Sequence, residues 1–193
     1  KASIRRQLSA LTAGLLEPIR AMLGDHDVVI VPTGALSAVP WGLLPDMTGR
    51  PVTVSPSAST WLAGGGTELA TPSRWLLVAG PDLAHANDEV LQLAKVYGDG
   101  AVLLGPDATV QSTLQALDGC TTAHFATHGH HERENVLFSR LDLSDGPLMA
   151  YDIHQLRSAP SHVVLSSCDV GQTVVRNGDE ILGFTAALLY SGT

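Results

Sequence analysis

The chain has 193 residues, a formal net charge of −8 at neutral pH and 45% hydrophobic residues. That length suits one domain with a sizeable core, and the composition excludes an intrinsically disordered chain. The acidic balance, with no Lys/Arg cluster, excludes a nucleic-acid-binding face, and no apolar run reaches the roughly 18 residues of a membrane-spanning helix.

Ile4, Leu8, Leu11, Leu15 and Leu16 recur at helical spacing, so residues 1–24 read as a helical segment packed on a core, kinked or restarted at Pro18. Val28 to Val31 is a buried strand stopped by Pro32, and Thr33 to Pro45 is a loop whose Leu36, Trp41, Leu43 and Leu44 dock it onto the body. Pro51 to Ser55 is a short strand, and Ser57 to Thr60 cap a short helix around Trp61. Gly64 to Ser73 is the most flexible-looking stretch. Trp75 to Ala79 is a strand ended by Gly80-Pro81, Asp88 to Val96 has helical periodicity, and Ala101 to Leu104 is strand-like. Asp107 caps a helix to about Leu117, and a strand ending at His128 follows. Val136 to Phe138 and Leu141 to Leu143 suggest a hairpin, Ala150 to Leu156 a short helix, Val163 to Cys168 a strand, and Asp179 to Tyr190 a helix. Strands alternating with helices imply an α/β sandwich with a mostly parallel sheet.

Two of these segments carry the chemistry. Ala123 to Gly129 and Val163 to Asp169 are apolar runs that end in His128 and Cys168. In open α/β sheets, ligands and chemistry sit beyond the carboxyl ends of the strands. If the two strands are neighbours, an imidazole and a thiol emerge side by side, the arrangement of a Cys/His nucleophilic site. The imidazole and thiol are 40 residues apart, which suits adjacent parallel strands with a hairpin in the crossover. Gly129 lets a backbone N–H approach a substrate carbonyl, as an oxyanion donor must.

The run from His124 to Gly129, then Ser139 to Leu143 with Asp145-Gly146, Ala150 to Ile153, Val163 to Cys168, and Gly178 to Glu180 with Gly183 resembles the CHAT domain. Ile30 to Pro32 through Pro40-Trp41, and Leu104-Gly105 before Ala108-Thr109, extend the likeness upstream. This is a caspase-like bacterial domain related to separase, caspases and metacaspases, and is often found behind tetratricopeptide repeats. The resemblance implies a three-layer caspase-like sandwich and a cysteine endopeptidase dyad, with His128 as general base, Cys168 as nucleophile and Gly129 at the oxyanion position. It implies peptide or protein substrates and regulation by an attached repeat or sensor region. No cofactor is expected. The chain starts without methionine and stops after an apolar helix, so it reads as a piece of a longer protein whose last sheet strands lie beyond Thr193.

Substrate-binding candidates are Asp169, next to the nucleophile, Ser166, and Thr33 in the loop where relatives place specificity residues. Metacaspase-type enzymes that prefer a basic residue before the cut carry Asp at the position of Ser166, and the loop Thr33 to Leu36 is uncharged, so neither pattern supports a charged preference. A buried Cys is on its own more often a small hydrophobe than a nucleophile. His124 reads as a satisfied core histidine, Cys120 as inert, and His130 to Arg133 as a solvated loop. A zinc site of His128, His130, His131 and Cys168 lacks the tight ligand pairs zinc uses, and no metal is expected. Two cysteines fit a reducing, cytoplasmic compartment. The rival to an enzyme is a non-catalytic signalling or scaffold module on the same caspase-like body. An amidase or other small-molecule thiol hydrolase is a third reading, which would need a closed pocket.

Overall fold

The computed structural model describes residues 2–64, 74–98, 100–130, 132, 136–166 and 184–193. They fall into two compact units, residues 2–63 and the described residues from 64 onward. The stretch 65–73, read above as flexible, lies outside them.

In the first unit, helix α1 (Ala2–Leu15) ends one residue before Leu16, which is buried. Pro18 sits in the first turn of the 3-10 helix Glu17–Ile19, where its missing N–H is tolerated, and α2 (Arg20–Leu23) follows. Strands β1 (Val28–Ile30) and β2 (Val52–Val54) pair in parallel, with Val29 opposite Thr53. Between them the chain makes three 3-10 turns, Gly34–Ala38, Trp41–Leu43 and Pro45–Met47. Trp41, Leu44 and Met47 join Leu16 as the core of this unit, whereas Leu36 and Leu43, expected to dock, are exposed. The Arg50 guanidinium donates to the carbonyls of Leu23, Gly24 and His26, supplying partners to the end of α2. Helix α3 (Ala58–Gly64) is capped as expected from Ser57, whose Oγ accepts from the Thr60 N–H at 3.0 Å.

The second unit is built on strands expected from the sequence. They are β3 (Trp75–Ala79), β4 (Ala101–Leu103) and β5 (Thr122–Ala126), with helices α4 (Ala86–Tyr97) and α5 (Val110–Leu117) as crossovers. After β5 the chain runs into a small antiparallel sheet of β6 (Gly129–His130), β7 (Arg140–Leu143) and β8 (Gly146–Met149). It returns through the 3-10 helix Ala150–Gln155 to β9 (His162–Ser166), and α6 (Phe184–Tyr190) follows. Among the described residues the central sheet has four strands in the order β4-β3-β5-β9, all parallel. This is the expected α/β caspase-like arrangement.

Strand alternation divides the core between the two faces of the sheet. Leu76 and Val78 of β3, with Ala123 and Phe125 of β5, pack on one face with Leu117 of α5, Leu141 and Leu148 of the hairpin, and Phe184 and Leu188 of α6. Trp75, Leu77 and Ala79, with Ala126, pack on the other with Ala86 and Val90 of α4. The unit is therefore three layers deep, and β3 is buried at every residue.

Three local expectations shift. Val136–Phe138 forms a 3-10 turn and not a strand, so the hairpin is β7-β8, turned at Ser144-Asp145. Residues Ala150–Gln155 wind as 3-10 and not α. The α5 cap is Thr109, whose Oγ1 accepts from the Ser112 N–H while the Ser112 Oγ accepts from the Thr109 N–H. Asp107 offers its carbonyl to the Ser112 hydroxyl instead. The Asp179 cap falls outside the described residues.

The ends of β3 and β5 meet without room for a side chain between them. A Cβ on Gly80 would lie 1.9 Å from Thr127 Oγ1 and 2.7 Å from the Asp142 carbonyl oxygen. We expect Gly80→Ala to cost about 3 kcal/mol or more, because two of its obstacles are fixed in buried structure. Chemical denaturation checks it. A loss below about 1 kcal/mol would contradict this packing.

Candidate active site

His128 stands where the chain leaves the central sheet for the hairpin. Ala126 is the last residue of β5 and Gly129 the first of β6, so Thr127 and His128 form the junction. Thr127 is fully buried, and its hydroxyl donates to the Asp142 carbonyl on β7. The Asp142 N–H in turn donates to the His128 carbonyl at 2.8 Å. The backbone on both sides of the imidazole is thus tied to the hairpin.

The imidazole itself is half-buried and held by the turn after β3. Its Nε2 lies 3.2 Å from the Asp82 backbone carbonyl oxygen. A carbonyl only accepts, so Nε2 carries a proton, and in the neutral imidazole Nδ1 then keeps its lone pair. The carbonyl reaches that position because Asp82 adopts φ +56°, the left-handed conformation that Asp tolerates better than most residues. Among the described residues Asp82 is the one non-glycine residue with positive φ.

A cleft of about 490 Å³ opens beside this imidazole. Leu83 to Ala86 and Glu89 form one side of it, and Thr127, His128, Leu165 and Ser166 the other. Glu89 Oε1 accepts from His124 Nε2 at 2.7 Å, so His124 is the satisfied histidine its mid-strand position suggested. On the hairpin, His130 Nε2 lies 2.9 Å from Asp142 Oδ2, and the Glu132 N–H donates to Ser139 Oγ. Cys120 is a buried free thiol, and burial pushes it up to about 11, in line with the inert role read from its position.

Of the residues singled out in the sequence, His128 and Ser166 line this cleft, and Gly129 follows the histidine as a buried residue paired with Leu141. The cross-strand pair next to them is Ala126 with Ser166. Cys168 and Asp169 lie outside the described residues. Thr33 is exposed in the 2–63 unit, after β1, which pairs with β2. Within the second unit, residues 80–86 after β3 border His128.

The family model of the CHAT domain matches residues 5–193. The chain belongs to the CHAT domain family. This family is related to the caspase-like cysteine peptidases. No curated protein matches the chain. Among the described residues of this CHAT domain, no helix is long and apolar enough to cross a membrane.

Sequence reasoning missed the Asp82 carbonyl, Glu89 and the Thr127–Asp142 tie. A backbone acceptor has no side-chain signature, and Glu89 reads as one acid among several on a periodic helix. The Gly80-Pro81 stop was visible, and it marks the turn that aims Asp82.

The Asp82 interaction runs through the backbone, so Asp82→Gly should keep the His128 contact and change stability by less than about 1 kcal/mol. Asp82→Val should cost about 1–2 kcal/mol, because a β-branched residue resists positive φ. Denaturation of the two variants checks this, and equal losses would contradict a backbone role. Cys120 should stay a protonated thiol up to about pH 9 in the folded chain and react with iodoacetamide there at a small fraction of its rate in denaturant, as mass spectrometry of the modified peptide would show.

Proposed function

We propose that this CHAT domain is a cysteine endopeptidase in which His128 is the general base and Cys168 the nucleophile. The observation that carries the reading is the pairing of β5 with β9 in parallel, with Ala126 opposite Ser166. His128 and Cys168 each follow their strand's member of that pair by two residues. Neighbouring strands run about 4.8 Å apart, so this pairing supports a base and a nucleophile carried on adjacent strand ends. The tautomer fixed by Asp82 supports it further, because it leaves Nδ1 free to accept.

In this mechanism Nδ1 takes the thiol proton, and the sulfur attacks the scissile carbonyl carbon of a bound peptide. The electron pair moves to the carbonyl oxygen, which the Gly129 N–H stabilises, a contribution of about 10²–10³ in rate for a single such donor. Collapse breaks the C–N bond, and the imidazolium gives its proton to the leaving amine. Water, deprotonated by His128, then hydrolyses the thioacyl intermediate and restores the thiol. Ser166 and Asp169 contact the substrate near the cut. Peptide or protein substrates, control by an attached repeat or sensor region, and a reducing cytoplasmic setting complete the proposal. The family match across residues 5–193 supports treating the whole chain as one CHAT domain.

A peptidyl electrophile such as an acyloxymethyl ketone tests it. Labelling should occur at Cys168, vanish in Cys168→Ala and slow by at least about 10²-fold in His128→Ala. Labelling that survives Cys168→Ala would overturn the proposal.

A further inference from the structure

Glu89 is the one carboxylate among the described residues lining the cleft beside His128. Small or apolar groups, such as Ala84, Ala86 and Leu165, make up much of the remaining wall. The Glu89 side chain, on α4, is 37% exposed and lines the cleft. Its Oε1 is occupied by Nε2 of His124, which is only 12% exposed and anchored in β5. That hydrogen bond holds the carboxylate in one orientation. Among the described residues no lysine or arginine forms an ion pair with it.

We infer that Glu89 determines specificity in this cleft and selects a substrate residue with a cationic side chain, lysine or arginine. The inference rests on the reading of the cleft as the substrate site. An apolar side chain entering here takes water from Glu89 and returns no hydrogen bond, and an acidic one meets like charge. A guanidinium or ammonium replaces the lost hydration with a charge-assisted hydrogen bond. The attraction is stronger than at an open surface, because the apolar walls lower the effective dielectric. A volume of about 490 Å³ has room for the long, thin stem of either residue. The charge absent from Ser166 and from the Thr33 loop is thus supplied by the helix after the β3 turn. The net charge of −8 also favours approach of a basic peptide.

Arginine and citrulline differ in charge at nearly constant shape, so a peptide pair carrying one or the other isolates the interaction. Binding of fluorescent peptides to the full chain with Cys168→Ala should favour arginine by about tenfold or more, equal to about 1.4 kcal/mol. The preference should disappear in Glu89→Gln, whose amide oxygen still accepts from His124. Equal affinity for the two peptides, no binding of either, or an undiminished preference in Glu89→Gln would overturn the inference. The arginine–citrulline comparison with Glu89 intact stands whether or not Glu89→Gln folds. Turnover by the chain with Cys168 intact is read separately. A Glu89-dependent preference without cleavage leaves this inference standing and removes the peptidase reading. Cleavage without preference does the reverse.

Discussion

Gly80, Thr127 and Asp142 meet at a point where three pieces of backbone pass within van der Waals distance, and the environment of His128 follows from that approach. Only glycine at position 80 lets the end of β3 pass so close to Thr127. That passage is pinned by the Gly80 N–H donating to the Ala126 carbonyl at 2.9 Å. Thr127, buried there, spends its hydroxyl on the Asp142 carbonyl, and Asp142 holds the His128 carbonyl. The β3 turn then offers the Asp82 carbonyl to the imidazole. Each contact is an ordinary hydrogen bond, worth about 1 kcal/mol net, but a buried partner left unsatisfied costs about 1–3 kcal/mol. The arrangement is therefore hard to relax piecemeal, which is what a group that must stay aimed at a substrate requires.

The cleft takes its character from strand alternation. On β5, Ala123 and Phe125 serve one core while His124 and Ala126 face α4. A histidine on that second face meets a helix whose acidic side chain Glu89 both satisfies it and borders the cleft. One pair thus solves a burial problem and places a fixed negative charge beside the imidazole. Neither residue announces this alone, since a mid-strand histidine and a helical glutamate are each unremarkable.

Much of the fold was legible because its signals are short-range. The continuous apolar runs of β3, β5 and β9 mark strands, of which β3 is buried on both faces, and periodicity marks α1 and α4. The failures were also local: Val136–Phe138 and Ala150–Gln155 have compositions that fit several backbone states, and their neighbours chose 3-10 turns. At the site, His128, Gly129 and Ser166 were visible as strand-end residues. The loop after β3 was not legible as their neighbour, because nothing in the residues says which early strand pairs with the histidine's strand, and β3 does so.

By itself, then, the sequence determined the α/β class, the strands and the candidate chemistry at their ends, because hydrophobic period and residue type are properties of short segments. Only the tertiary structure decided that β5 lies between β3 and β9, that a carbonyl on a left-handed Asp82 fixes the histidine tautomer, and that Glu89 opens beside it. Those facts join residues 35 to 47 positions apart. They depend on which strands pair and on a backbone direction at one residue, and neither is encoded in any single stretch of chain.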